Sequence, residues 1–247
     1  MISHPFPMVE PEVVVTPRPD SPLTEVRLGD AGGFFVPLEV GAEVKWSFYD
    51  WPERVLTNVS YTRVIGTIKY RGEECLDIVD RVIFPEEEQW VGRWLYARSE
   101  ESLRGLLFES RDSETRAKIE EVDATPFRLR LRLGDTWEGH EVFRCGTEVR
   151  GAGQTHHAVV DGSFEVALPA ARLLCVRQTM WILDVDGRGL TLAELYVAES
   201  GRSVYWCRFN GPAYHNYDQL ETTPRREHAG ITWRLYYDCL PDISLAQ

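Results

Sequence analysis

The chain has 247 residues, 43% apolar and 11% aromatic, long enough for one large β domain or two ordinary ones. Acidic residues outnumber basic ones 39 to 27, a formal charge of −12, and no Lys/Arg run exceeds two neighbours; a phosphate-tracking surface needs clustered cations, so nucleic acid is not an expected partner. No run of about 18 apolar residues occurs, so no helical membrane span is expected.

Residues 1–23 carry Pro5, Pro7, Pro11, Pro17, Pro19 and Pro22. Proline fixes φ and removes a ladder donor, so this stretch is predicted to be an extended arm in which only Val13 to Val15 can pair with a sheet edge. Its "MISHPFPMVE" start has neither a cationic n-region nor an apolar h-region. As written the chain is therefore expected to be cytoplasmic, or exported if a leader has been removed.

From Phe34 the apolar period is close to two. "EVKWSFYDW" leads into "NVSYTRVIGTIKYRGEECLDIVDRVIF", where Gly66 and Arg71-Gly72 punctuate strands rich in Val, Ile, Thr and Tyr. In the stretch 102–121, Leu103, Leu106 and Leu107 have helical spacing, but Gly105 interrupts it and Asp112-Ser113 reads as a turn, so strand plus turn is predicted over helix. "RLRLRL" alternates strictly and places Leu129, Leu131 and Leu133 on one face and Arg128, Arg130 and Arg132 on the other. Further strands follow, divided at Asp186-Gly187 and Ser200-Gly201, dipeptides that tolerate the positive φ of tight hairpins.

A weak repetition links "PLEVGAEVKWSF" and "LRLGDTWEGH": each sets an apolar residue before glycine and a tryptophan soon after. Two β units of similar build are expected to follow. The five cysteines are dispersed without a C-x-x-C pair, which argues against structural zinc and for buried thiols. No cofactor or metal is expected.

The order "PLEVG…W", "LRLGDTWE", "GSFEVALPAARLLCVR" and "AELYVAESGRSVYWCRFNG" resembles a set of bacterial proteins of unassigned function, many of them exported or lipoproteins. The resemblance covers about residues 34–211. It implies a long antiparallel sheet curled around a greasy interior, similar to the half-barrels of lipoprotein carriers, and brings no catalytic residues with it. Ala171-Arg172-Leu173 stands where that set usually has Gly-Thr-Phe, and the signal peptide of that set is not expected from the sequence as written.

His156 and His157 are adjacent in a strand-like run and so point to opposite faces, a poor bidentate metal site. Asp184-Val185-Asp186-Gly187 lacks the later ligands of a calcium loop. No G-x-S-x-G turn is present, and Cys175 and Cys207 lie in apolar strands where a thiolate is disfavoured. The candidate ligand-binding set is Trp46, Trp94, Trp137, Arg177, Trp181, Tyr196 and His215, with Trp206 beside them. In this set Arg177 is the polar group of an aromatic concavity, against the plain alternative of a solvent-facing arginine over a tryptophan core.

The expected fold is mainly β with little helix: a single curved antiparallel sheet, half-barrel or open barrel, over residues 24–247, after the arm 1–23. The expected function is a non-enzymatic binding module for a hydrophobic or amphipathic small molecule. The alternatives are a cofactor-independent cyclase or isomerase, favoured by a buried acid or histidine facing the interior, and an interaction protein that pairs through edge strands.

Overall fold

A computed structural model describes residues 13–28, 38–51, 55–83, 89–111, 118–145, 148–168, 171–183, 188–199, 201, 203–212 and 232–237. All regular structure among them is strand. The arm supplies β1 (Val14–Pro17) and β2 (Glu25–Arg27). A first meander holds β3 (Glu43–Trp51), β4 (Leu56–Tyr70), β5 (Glu73–Ile83), β6 (Gln89–Arg98), β7 (Ser102–Arg111) and β8 (Lys118–Ala124). The short β9 (Phe127–Arg128) and β10 (Arg130–Arg132) lead to a second meander: β11 (Thr136–Cys145), β12 (Glu148–Leu168), β13 (Ala171–Leu183), β14 (Arg188–Val197), β15 (Ser203–Pro212) and β16 (Thr232–Tyr237). Strand thus holds over the described parts of 102–121, with the predicted turn at Asp112-Ser113 outside the described residues, and the arm's strand lies one residue later than Val13–Val15 and runs on to Pro17.

Within each meander, strands pair antiparallel with their sequence neighbours; β8 then pairs with β11, and β16 with β3. Strand β13 also pairs with β12, from Leu183 opposite Thr155 to Ala171 opposite Leu168, so the order of pairing returns to its start through one curved sheet. Long strands make this curvature possible, and a β-bulge near the middle of β4 and of β12 sharpens it. β1 covers the stretch of the β12 edge that β11 does not reach, with Val15 opposite Val166.

On the concave face, Val64, Leu76 and Ile78 of the first meander meet Trp137, Ala158, Val160, Val176, Met180 and Tyr196 of the second in one buried cluster. The ribbon formed by β2 and β10 closes this core with Val26, Leu28, Leu129 and Leu131. Leu131 is fully buried, worth about 1.5–3 kcal/mol against an exposed leucine. Arg128 and Arg132 face outward as the alternation predicts. Leu133 corrects it, being exposed where the chain turns into Gly134.

The two meanders have the same build. Gly41 and Gly134 both have positive φ, 88° and 85°, and each donates its N–H to a valine carbonyl, Val64 and Val160 respectively. Each valine precedes a bulge: Ile65 before Gly66, Asp161 before Gly162. Beyond the bulges, Cys75, Leu76 and Asp77 face Ala97, Tyr96 and Leu95 as Cys175, Val176 and Arg177 face Val197, Tyr196 and Leu195. The glycines of the repetition are therefore equivalent, but its tryptophans are not. Val44 opposite Thr62 occupies the register of Trp137 opposite Ala158.

Candidate functional site

The concave face is not apolar throughout. Asp80 on β5 stands opposite Thr62, and its Oδ1 accepts hydrogen bonds from Ser60 Oγ at 2.5 Å and Thr62 Oγ1 at 3.0 Å. Burial pushes the Asp80 carboxyl above the ordinary carboxylate range, against the opposing effect of these bonds. Glu141 on β11 shares a face with Trp137 by alternation, and burial raises its carboxyl too.

Tyr96 lies between these acids electrostatically. Burial first, then the charges of Glu141 and Asp80, raise its phenol well above its usual range. Trp94 stacks beside it at 5.6 Å between ring centroids, and Phe108 meets Trp94 at 4.2 Å. His156 comes from β12 opposite Gly139, where a Cβ would sit 2.2 Å from the imidazole Nε2. The glycine makes room for the ring. Burial, then His140 and His157, lower the His156 pKa, so the neutral ring is favoured.

Asp80, Tyr96, Glu141 and His156 each keep part of their surface accessible, whereas the core below them is closed. They form a patch with protonatable acids, a neutral imidazole and aromatic walls. A protonated carboxyl donates one hydrogen bond and accepts others, which suits a neutral oxygen-bearing group. No group of three or more potential metal ligands occurs among the described residues.

Of the candidate ligand-binding set, Trp94, Trp137 and Tyr196 converge on the concave core, Trp94 at its partly accessible border and Tyr196 fully buried. Trp46 stands opposite Ser60 in the register, and Trp181 opposite His157 and Thr191. His215 lies outside the described residues, as does the Asp184–Gly187 turn.

Arg177 corrects both readings of its role. It stands opposite Leu195 and Gly162, on the face away from Val176 and Tyr196, and it is 2% exposed. Its Nε and Nη2 donate to Asp161 Oδ1 and Oδ2 at 2.8 and 2.7 Å, Thr179 Oγ1 adds 3.0 Å to Oδ2, and its guanidinium lies 4.2 Å from the Phe164 ring centroid. A two-pronged pair with every strong acceptor used is a structural fastening, neither a solvent-facing arginine nor a polar group in the concavity. His156 and His157 do point apart: the latter lies 3.1 Å from Glu138 Oε1. Cys75 and Cys175 are buried free thiols, Cys175 pushed up to about 12 by burial.

Sequence reasoning missed Asp80, Glu141 and Tyr96. For Asp80 a signal existed: in "CLDIVDRVI" an acid holds the alternation of Leu76 and Ile78. No family model matches the chain, and no curated protein matches it. Two solved structures are similar to it. One is a Bacteroides fragilis protein described as exported with a YmcC-like fold, 13% identical, covering 83% of this chain and 97% of its own, TM-score 0.49. The other, from Parabacteroides distasonis, is described as a lipoprotein, 9% identical, covering 83% and 96%, TM-score 0.46.

Proposed function

We propose that the protein is a non-enzymatic binding module that holds an amphipathic small molecule against the concave face of its sheet. One observation supports this most: the half-buried rings of Trp94 and Tyr96 border the apolar cluster of the concave face, with Asp80 and Glu141 close enough for their charges to act on the Tyr96 phenol. Apolar walls with a few fixed polar groups are how pockets hold and orient small ligands. In this reading Trp94 and Tyr96 touch the ligand's apolar part, Asp80 and Glu141 its polar end, and Trp137 and Tyr196 form the floor.

Native mass spectrometry of protein purified without detergent, with solvent extraction of the same sample, tests the proposal. A bound amphiphile, or saturable quenching of tryptophan emission by added fatty acid or anilinonaphthalene sulfonate that Trp94→Ala weakens about tenfold, supports it. Protein that carries nothing and binds neither probe refutes it.

A second reading, a cofactor-independent isomerase or cyclase, is favoured by the same acids together with His156. A raised carboxyl and a neutral imidazole on one face are suited to proton transfer near neutral pH. Turnover of an extracted ligand, lost in Glu141→Gln while binding persists, would select this reading.

A further inference from the structure

Outside the concave face, the ribbon of β2 and β10 borders a surface groove of about 430 Å³ lined by Glu101, Ser102, Arg128, Arg130, Arg132 and Asp135, among others. A chain with a formal charge of −12 places three arginines here. Two already have acidic neighbours. Arg132 Nε lies 3.0 Å from Glu25 Oε2, and Arg128 Nη1 lies 3.8 Å from Asp135 Oδ2 while its guanidinium stacks 4.9 Å from the Trp137 ring centroid.

Arg130 differs from both. Among the described residues it has no ion pair and no side-chain hydrogen bond. Its partner across the ribbon is another arginine, Arg27, whose one side-chain bond runs 3.4 Å to the Glu100 carbonyl. Like charges directly opposite in a two-stranded ribbon repel. An oxyanion between them would turn this repulsion into attraction, because the guanidinium fork matches phosphate and carboxylate oxygens in pairs.

We propose that this groove binds a phosphate-type oxyanion through Arg130 and Arg128, which line it, with Arg27, opposite Arg130 on the ribbon, as a further cation beside it. The anion is carried either by a soluble phosphate or by the headgroup of an acidic lipid. Glu101 and Asp135, which share the lining, limit the negative charge that the groove accepts.

Calorimetric titration of the full chain at low ionic strength with inorganic phosphate and pyrophosphate, and flotation with phosphatidylglycerol or phosphatidylcholine vesicles, tests this. Saturable binding of either anion, weakened about tenfold or more by Arg130→Gln and by added salt, is expected for a soluble phosphate. Arg130→Lys should retain part of it, and Arg104→Gln, whose arginine pairs with Glu73 elsewhere on the sheet, should leave it unchanged. Flotation with phosphatidylglycerol only, abolished in Arg130→Gln, assigns the anion to a lipid headgroup. The proposal fails if neither anion nor either vesicle binds, or if Arg130→Gln, shown folded by an unchanged melting temperature, binds as the unsubstituted protein does.

Discussion

The two meanders share turns, bulges and cross-strand register, yet they use the common frame differently. At the first bulge Ile65 is exposed, and the nearby ion pair joins Asp77 to Arg93, whose side chain is 40% exposed. At the second bulge the extra residue is Asp161, and it holds Arg177, whose side chain is 3% exposed. The cover explains the contrast. β1 lies along β12 and packs Val13 and Val15 against Phe164, Val166 and Cys175, whereas the equivalent edge of β4 presents exposed Thr67 and Lys69. On the concave side the bias reverses: Thr62 and Asp80 of the first half stand where the second has Ala158 and Met180. One half is fastened from outside; the other brings Asp80 and its two hydroxyl partners to a polar patch that it shares with Glu141 and His156 of the second.

The largest expected effect breaks this contrast at its ion pairs. Asp161→Ala removes the carboxylate that neutralises the buried Arg177 guanidinium and should cost about 3–5 kcal/mol in urea unfolding. Asp77→Ala should cost only about 1 kcal/mol, because Arg93 can turn to water or toward Glu109, already 3.9 Å away. Equal losses would mean that the cover by β1 is not what separates the pairs.

The bulge glycines come next. A Cβ at Gly162 would meet Phe164 Cε2 at 2.8 Å, while at Gly66 nothing lies within 4 Å. Gly162→Ala should therefore destabilise by about 1–3 kcal/mol through displacement of the ring that stacks on Arg177. Gly66→Ala should be near neutral, or stabilise by about 0.5 kcal/mol through the unfolded chain. Thermal unfolding of the two variants side by side decides it, and a loss at Gly66 as large as at Gly162 would count against the packing account.

These bulges also mark where the sequence stops being readable. Period-two runs, the Arg71-Gly72 turn with both φ positive and the burial of Leu129 and Leu131 followed from local rules, because alternation and turn chemistry act over a few residues. In "AVVDGSFEVAL", however, Ala158, Val160, Phe164 and Val166 have one parity in sequence. The extra residue Asp161 sends the first pair to the concave core and the second to the outer cluster. No local signal announces that shift, so the partner of Arg177 was hidden one residue beyond a break in register. Glu141 was hidden for another reason: besides β8 and β12 on either side of it, its surroundings include Tyr96 of the first meander, which no local pattern places there.

The smallest expected effect concerns pH and again separates the halves, since Phe48 holds the register position in the first meander that Glu141 holds in the second. Burial raises the Glu141 carboxyl above its ordinary value of 4.5, so the folded state holds this proton more tightly than the unfolded chain does. Its contribution to stability is complete below about pH 4.5 and is lost as pH rises through the raised value. Asp80 acts in the same sense, and His156, with its pKa lowered, in the opposite one: its contribution is present above about pH 6.5 and is lost as pH falls through the lowered value. Glu141→Gln removes one of the two acid slopes. The variant should gain on the unsubstituted protein as pH rises from about 4.5 to 8, leaving a flatter profile on that limb and the histidine-dependent limb intact. Urea midpoints measured across that range check it; a difference that does not grow with pH would place Glu141 in water rather than on the concave face.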